Sequence, residues 1–305
     1  MKPIVDSMEI DLSAAELFLS YIDDETNIDE VWDHDAYKII REHGEKLRGG
    51  LKKEQIERAT KGEKSGYYGV SDIKENLEKI EELMGFIKEK DDSWSKTIEA
   101  ELDRVVPHED KDITIYPVFG YDIGIGLENG VCINLNEVLF FDDPRQFLYL
   151  AIHESSHTLY SRIHGIPNLD EIKSKEDRIS FFNTILQTEG YAVYTPLKIR
   201  KNDGYTGFEE HFIPADYQVI LDDERIRDCV KDHDELREDL INSENWSLQK
   251  YMNRAFGKKR FTYRIGCSMV NRIEQEMGMD EVRKAFYMDA DEFMNRYDQL
   301  LDVYR

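Results

Sequence analysis

The 305 residues carry 64 acidic against 40 basic side chains, a formal net charge of −24, which opposes binding to nucleic-acid phosphates and to anionic membranes. Hydrophobic content of 40% suffices for a packed core, and no apolar run reaches the ~20 residues a membrane-spanning helix needs. Cys132, Cys229 and Cys267 show no CxxC spacing; an odd, sparse cysteine count without a recognisable signal peptide leads to the expectation of reduced thiols in a cytoplasmic protein.

Residues 8 to 106 read as successive amphipathic helices, among them SAAELFLSYI, HDAYKIIREHGEKL and VSDIKENLEKIEELMGFIKE, with loops at RGG and KGEKSGYYG. Their Met and Leu stripes have the spacing of core positions. Residues 1–106 are therefore expected to form a helical lobe, and residues 107–305 a second region beginning near the Pro107 to Asp112 turn, unless the two make one compact unit. The surplus of acid falls on stretches such as EDKDI, DDERIRD and KDHDELRED, the pattern of solvated helix faces.

ITIYPVF, YDIGIGL and GVCINLN cluster strand-favouring residues between Gly and Asn turns, which predicts a small antiparallel sheet. An apolar helix follows. Asp142 and Asp143 can cap it, Pro144 suits its first turn, and Gly165 after His164 is a stop signal. Inside it stands HExxH: His153, Glu154, Ser155, Ser156, His157. On a helix, residues four apart lie on one face, so both imidazoles can reach one metal ion with Glu154 beside them. Zinc suits this donor set, and an adjacent carboxylate can accept a proton from water that zinc has made acidic.

A catalytic zinc site needs a third protein ligand and an open position. His164 does not supply the ligand in the manner of HExxHxxGxxH, because Tyr160 stands where that pattern has Gly and Ile163 where it has His. Glu189, in QTEGYAVY, lies in a second apolar helix whose start carries a Ser174 and Asp177 capping box. A Glu among Phe181, Phe182, Ile185, Leu186, Ala192 and Val193 is costly to bury without a cationic partner, and Gly190 and Ala192 are small enough for close helix approach.

With these residues in place, the stretch from about 112 to 200 resembles the gluzincin superfamily of zinc peptidases, in which HExxH on one helix is completed by a Glu on a later one. The resemblance implies His153, His157 and Glu189 as ligands of one Zn2+ ion, and Glu154 as general base. It departs from thermolysin-like members at Val193, where an Asp would orient a zinc histidine, and that partner stays unassigned. By the same resemblance the last strand before the active helix, Gly130 to Asn134, would hold an extended peptide by strand addition, unless it is an ordinary covered edge. GLEN, Gly126 to Asn129, loosely resembles an aminopeptidase motif in which Glu128 would read a free amine; the bland alternative is a hairpin turn. Gluzincins stabilise the oxyanion with a downstream Tyr, His or Arg, and Tyr263 in FTYRIGCSMVNRIEQEMG is the choice here, with Arg264, His211 and Tyr191 as alternatives.

The fold class expected is α+β, mainly α-helical, with a small sheet, the two metal-bearing helices and flanking helical lobes. The function expected is zinc-dependent hydrolysis of peptide or protein substrates. The alternative is a non-catalytic module in which zinc staples helices or docks a partner.

Overall fold

The computed structural model describes residues 8–70, 72–204, 211–243, 247–257 and 259–305. The chain forms two compact units, Met1–Arg162 and Ile163–Arg305. The class is α+β and mainly α-helical.

In the first unit the helices are α1 (Ser13–Ile22), α2 (Ile28–Asp33), α3 (Asp35–Leu47), α4 (Lys53–Thr60), the 33-residue α5 (Ile73–Val105), α6 (Val138–Asp142) and the start of α7 (Arg145–His164). Local capping sets several starts: Asn27 accepts from the Asp29 and Glu30 amides at 2.9 and 3.2 Å, and His34 Nδ1 accepts from Ala36 N at 3.2 Å. The strands are β1 (Glu9–Ile10), β2 (Thr114–Val118), β3 (Gly124–Leu127) and β4 (Gly130–Asn134), in the spatial order β1-β2-β4-β3.

That order corrects the expected antiparallel sheet: only β3 and β4 pair antiparallel, while β2 runs parallel to both β1 and β4. The reason lies in burial. Every residue of β4 is buried, so the strand belongs in the centre with neighbours on both sides, and the glycine-bearing β3 takes the edge. Asn134, fully buried at the end of β4, is satisfied by accepting from Gly120 N at 3.0 Å and donating to Glu137 Oε1 at 2.8 Å. Phe18, Tyr37 and Phe119 form the aromatic core beside β2, and the Tyr37 and Tyr67 hydroxyls both donate to Phe119 O, at 3.2 and 3.0 Å.

The second unit is helical: α8 (Lys175–Tyr194), α9 (Leu197–Asp203), α10 (Phe212–Ile220), α11 (Asp223–Asn242), α12 (Leu248–Phe256), α13 (Phe261–Met277), α14 (Met279–Phe286) and α15 (Ala290–Tyr297). Its centre is the crossing of α8 and α13. There a β-carbon on Gly190 would stand 2.5 Å from the carbonyl carbon of Gly266, and one on Gly266 would stand 2.2 Å from Leu186 O. Only glycine allows backbones that close. Cys132, Cys229 and Cys267 are free and buried. Among the described residues no helix is long and apolar enough to cross a membrane.

Candidate metal centre

Helix α7 begins where the capping signals place it. Asp143 Oδ1 accepts from Arg145 N at 3.1 Å, its Oδ2 accepts from Gln146 Nε2 at 2.9 Å, and Gly165 leaves the far end at φ 75°. The helix is buried along most of its length, with Phe147 stacked on Trp94 at 6.0 Å.

His153 and His157 lie one turn apart on it, and their Nε2 atoms are 3.2 Å from each other, with the rings edge to face. Two nitrogens each bound tetrahedrally at ~2.05 Å to one zinc would be separated by about 3.3 Å. The pair therefore already has the spacing of two ligands on one ion. Among the described residues these two and Glu189 form a group able to hold a metal, one ligand atom from each, all within 4.8 Å of one another. A two-histidine, one-carboxylate set fits zinc and leaves a fourth position open.

Glu154 is 6% exposed, and β3 explains how it fits. A β-carbon on Gly124 would meet Glu154 Oε1 at 2.7 Å, and one on Gly126 would meet the Glu154 carbonyl oxygen at 2.0 Å and His157 Cβ at 3.1 Å. The glycines of GIG let the edge strand press on the HExxH turn and form one wall around the carboxylate. Beneath it, Thr158 Oγ1 lies within donating reach of Glu154 O at 3.3 Å and Gly130 O at 3.4 Å.

Helix α8 starts with the expected capping box, Asp177 N donating to Ser174 Oγ at 3.0 Å and Ser174 N to Asp177 Oδ2 at 2.7 Å. Its rotation is fixed by two polar anchors flanking Glu189. Gln187 Nε2 donates to Ala285 O and Met288 O at 3.0 and 3.1 Å, and Tyr191 OH donates to Val282 O at 2.8 Å. Residues two positions away on a helix point about 200° round the axis, so anchoring Gln187 and Tyr191 turns Glu189 to the opposite face.

Other expected residues fare differently. Tyr191 is fully buried and tied to a main-chain carbonyl, so it is a packing residue. Arg264 Nε donates to Asp216 Oδ1 at 2.8 Å, and His211 accepts from Ile213 N at 3.3 Å as the cap of α10. Tyr263 lies partly exposed with the Arg260 guanidinium 3.8 Å from its ring centroid. His164, read as lacking a ligand role, bonds Phe286 O through Nε2 at 2.8 Å. Glu128 and Asn129 are the exposed two-residue turn between β3 and β4, which is the bland alternative. Gly130 to Asn134 cannot take a peptide as an added strand, because β4 is paired on both sides; the edge is β3.

Two clusters carry no sequence motif. In the first unit His43 Nδ1 and Tyr121 OH bond at 2.8 Å, with Tyr121 in the left-handed region at φ 80°. Burial, then the charges of Arg48 and His157, push His43 down to about 4, so this imidazole is neutral near the HExxH helix. In the second unit Arg260 and Arg264 converge on buried Asp216. Arg260 and Tyr121 share a signal visible only in the backbone, a positive φ on a residue with a side chain.

A family model described as "Putative zinc dependent peptidase (DUF5700)" matches residues 20–302. No curated protein and no solved structure matches the chain.

Proposed function

The chain belongs to the family described as "Putative zinc dependent peptidase (DUF5700)", and from that premise we propose that it hydrolyses peptide bonds as a gluzincin, with His153, His157 and Glu189 holding one zinc ion. The observation that carries this reading is the 3.2 Å separation of the two Nε2 atoms with Glu189 within 4.8 Å. When bound, zinc supplies Lewis acidity that makes water a usable nucleophile near neutral pH.

The protein's own groups do the rest. Glu154 takes a proton from the attacking water as its oxygen adds to the scissile carbonyl carbon, then returns that proton to the amine nitrogen as the C–N bond breaks. The carboxylate is buried against β3, which limits competing water. The Tyr263 hydroxyl donates to the developing oxyanion. The outer edge of β3, Gly124–Leu127, is where an extended substrate backbone adds as a strand, since its backbone groups on that side have no partner strand among the described residues.

A matched mutant pair tests the assignment. Glu154→Gln keeps zinc by elemental analysis while hydrolysis falls by about 10²-fold or more, and Glu189→Ala lowers zinc content. Turnover in Glu154→Gln equal to the unaltered protein removes Glu154 from the mechanism; full zinc in Glu189→Ala removes Glu189 from the ligand set.

A further inference from the structure

Arg260 precedes α13 in the left-handed region, at φ 41° and ψ 37°, where residues with a β-carbon are uncommon. Its side chain is 15% exposed, Nε donates to Asp216 Oδ2 at 2.7 Å, and the guanidinium carbon lies 3.8 Å from the Tyr263 ring centroid and 4.8 Å from that of Phe212. The group is thus held by one edge and by two aromatic rings. Among the described residues its two Nη groups donate no hydrogen bond. An arginine serving only as a structural brace commonly spends its fork on a carboxylate in bidentate fashion; this one spends Nε and leaves the fork presented.

Charge points the same way. Asp216 is 1% exposed and also accepts from Arg264 Nε at 2.8 Å, so among the described residues Asp216, Arg260 and Arg264 together carry one positive charge. Glu189 is near. Gly190, the next residue, backs onto Gly266, three residues beyond Tyr263 and six beyond Arg260. Burial opposes the Arg260 charge, but Tyr263, Asp216 and, more weakly, Glu189 outweigh it and raise its pKa.

We propose that Arg260 is a carboxylate-binding residue for the substrate, offering its paired Nη groups to a peptide carboxylate beside the Glu189 end of the metal site. This rests on the peptidase reading above and adds a substrate class to it. A planar fork fixed by stacking matches a carboxylate bidentately. The carboxylate has two sources, a free peptide C-terminus or an acidic side chain.

The test uses three libraries of N-acetylated hexapeptides built from neutral residues: C-terminal acids, C-terminal amides, and amides carrying one Glu. Zinc-loaded Glu154→Gln protein is titrated with each by calorimetry, and the unaltered protein is assayed for cleavage. The expectation is that acids, or Glu-bearing amides, bind and are cleaved about tenfold to a hundredfold better than neutral amides, mainly through KM. The arm that shows the preference identifies the source. Placed on the Glu154→Gln background, Arg260→Gln removes the preference in binding, and alone it removes it in cleavage. Arg260→Lys, which keeps the charge and loses the fork, weakens the preference in both readouts and serves if the Gln variant does not fold. Equal treatment of all three libraries by the unaltered protein, a preference undiminished in Arg260→Lys, or one that survives in Arg260→Gln, overturns the proposal. If no library is cleaved, with or without the acetyl group, the peptidase reading falls, while the binding titrations still decide the role of Arg260.

Discussion

Gly124 and Glu154 touch: the position a β-carbon would take on residue 124 is 2.7 Å from Glu154 Oε1. Two neighbouring glycines therefore do different things. At 124 the obstacle is the end of a side chain that can swing, whereas at 126 it is the Glu154 backbone oxygen, 2.0 Å away. Gly124→Ala is expected to lower kcat severalfold or more with stability changed by under about 1 kcal/mol. Gly126→Ala is expected to destabilise by ~2 to 3 kcal/mol, because strand and helix must part. Urea unfolding alongside peptide cleavage checks both; equal stability losses would mean the carboxylate does not depend on this wall.

Metal loading should be a stability term. A ligand that binds only the folded state raises stability with its free concentration, so chelator is expected to lower Tm of the unaltered protein. His157→Ala is expected to contain less than about a tenth of the zinc and to melt at one temperature with or without chelator. Calorimetry with elemental analysis decides; a chelator-sensitive His157→Ala would place the metal elsewhere.

The buried His43 sets a pH dependence with a defined sign. Its native imidazole stays neutral down to about 4, against 6.5 ordinarily, so between those values the unfolded chain binds more protons. Stability is fully present above about 6.5 and falls as pH drops toward 4, by up to about 3 kcal/mol from this group. His43→Gln, compared with the unaltered protein in chelator so that metal release does not intrude, is expected to show a shallower fall over that window. Parallel curves for the two proteins would assign the acid sensitivity to other groups.

Asp216 pairs with both Arg260 and Arg264. Asp216→Asn leaves two guanidiniums near each other in a buried place and is expected to destabilise by ~3 to 5 kcal/mol. Arg264→Met in the same background relieves the repulsion and recovers part of that loss; urea unfolding of the single and double variants measures both. No recovery in the double variant would show that the loss comes from packing and not from charge.

What could be read along the chain was local. The HExxH helix carries its own start at Asp143 and stop at Gly165, and α8 carries its capping box, so both helices and their candidate ligand residues follow from spacing within about twenty residues. The sheet order did not follow, because parallel pairing of β2 with β4 joins segments whose partner choice depends on burial and not on any local pattern. Arg260 escaped for a related reason. Its partner Asp216 lies 44 residues away, and its left-handed backbone has no signature in an arginine. Over residues 8 to 106 the apolar periodicity shows the helices but not β1, whose two residues are too few for a period to appear.

The glycine contact between Gly190 and Gly266 has a thermodynamic consequence for the whole second unit. Because Glu189 is joined directly to the point where the two helices meet, a shift of α8 against α13 reaches the carboxylate within one residue. If Glu189 ligates the ion, affinity for it and cohesion of that helix pair are reciprocally linked: loosening of α13 is then expected to weaken metal retention, and saturating zinc to protect the amides of α13 from hydrogen exchange.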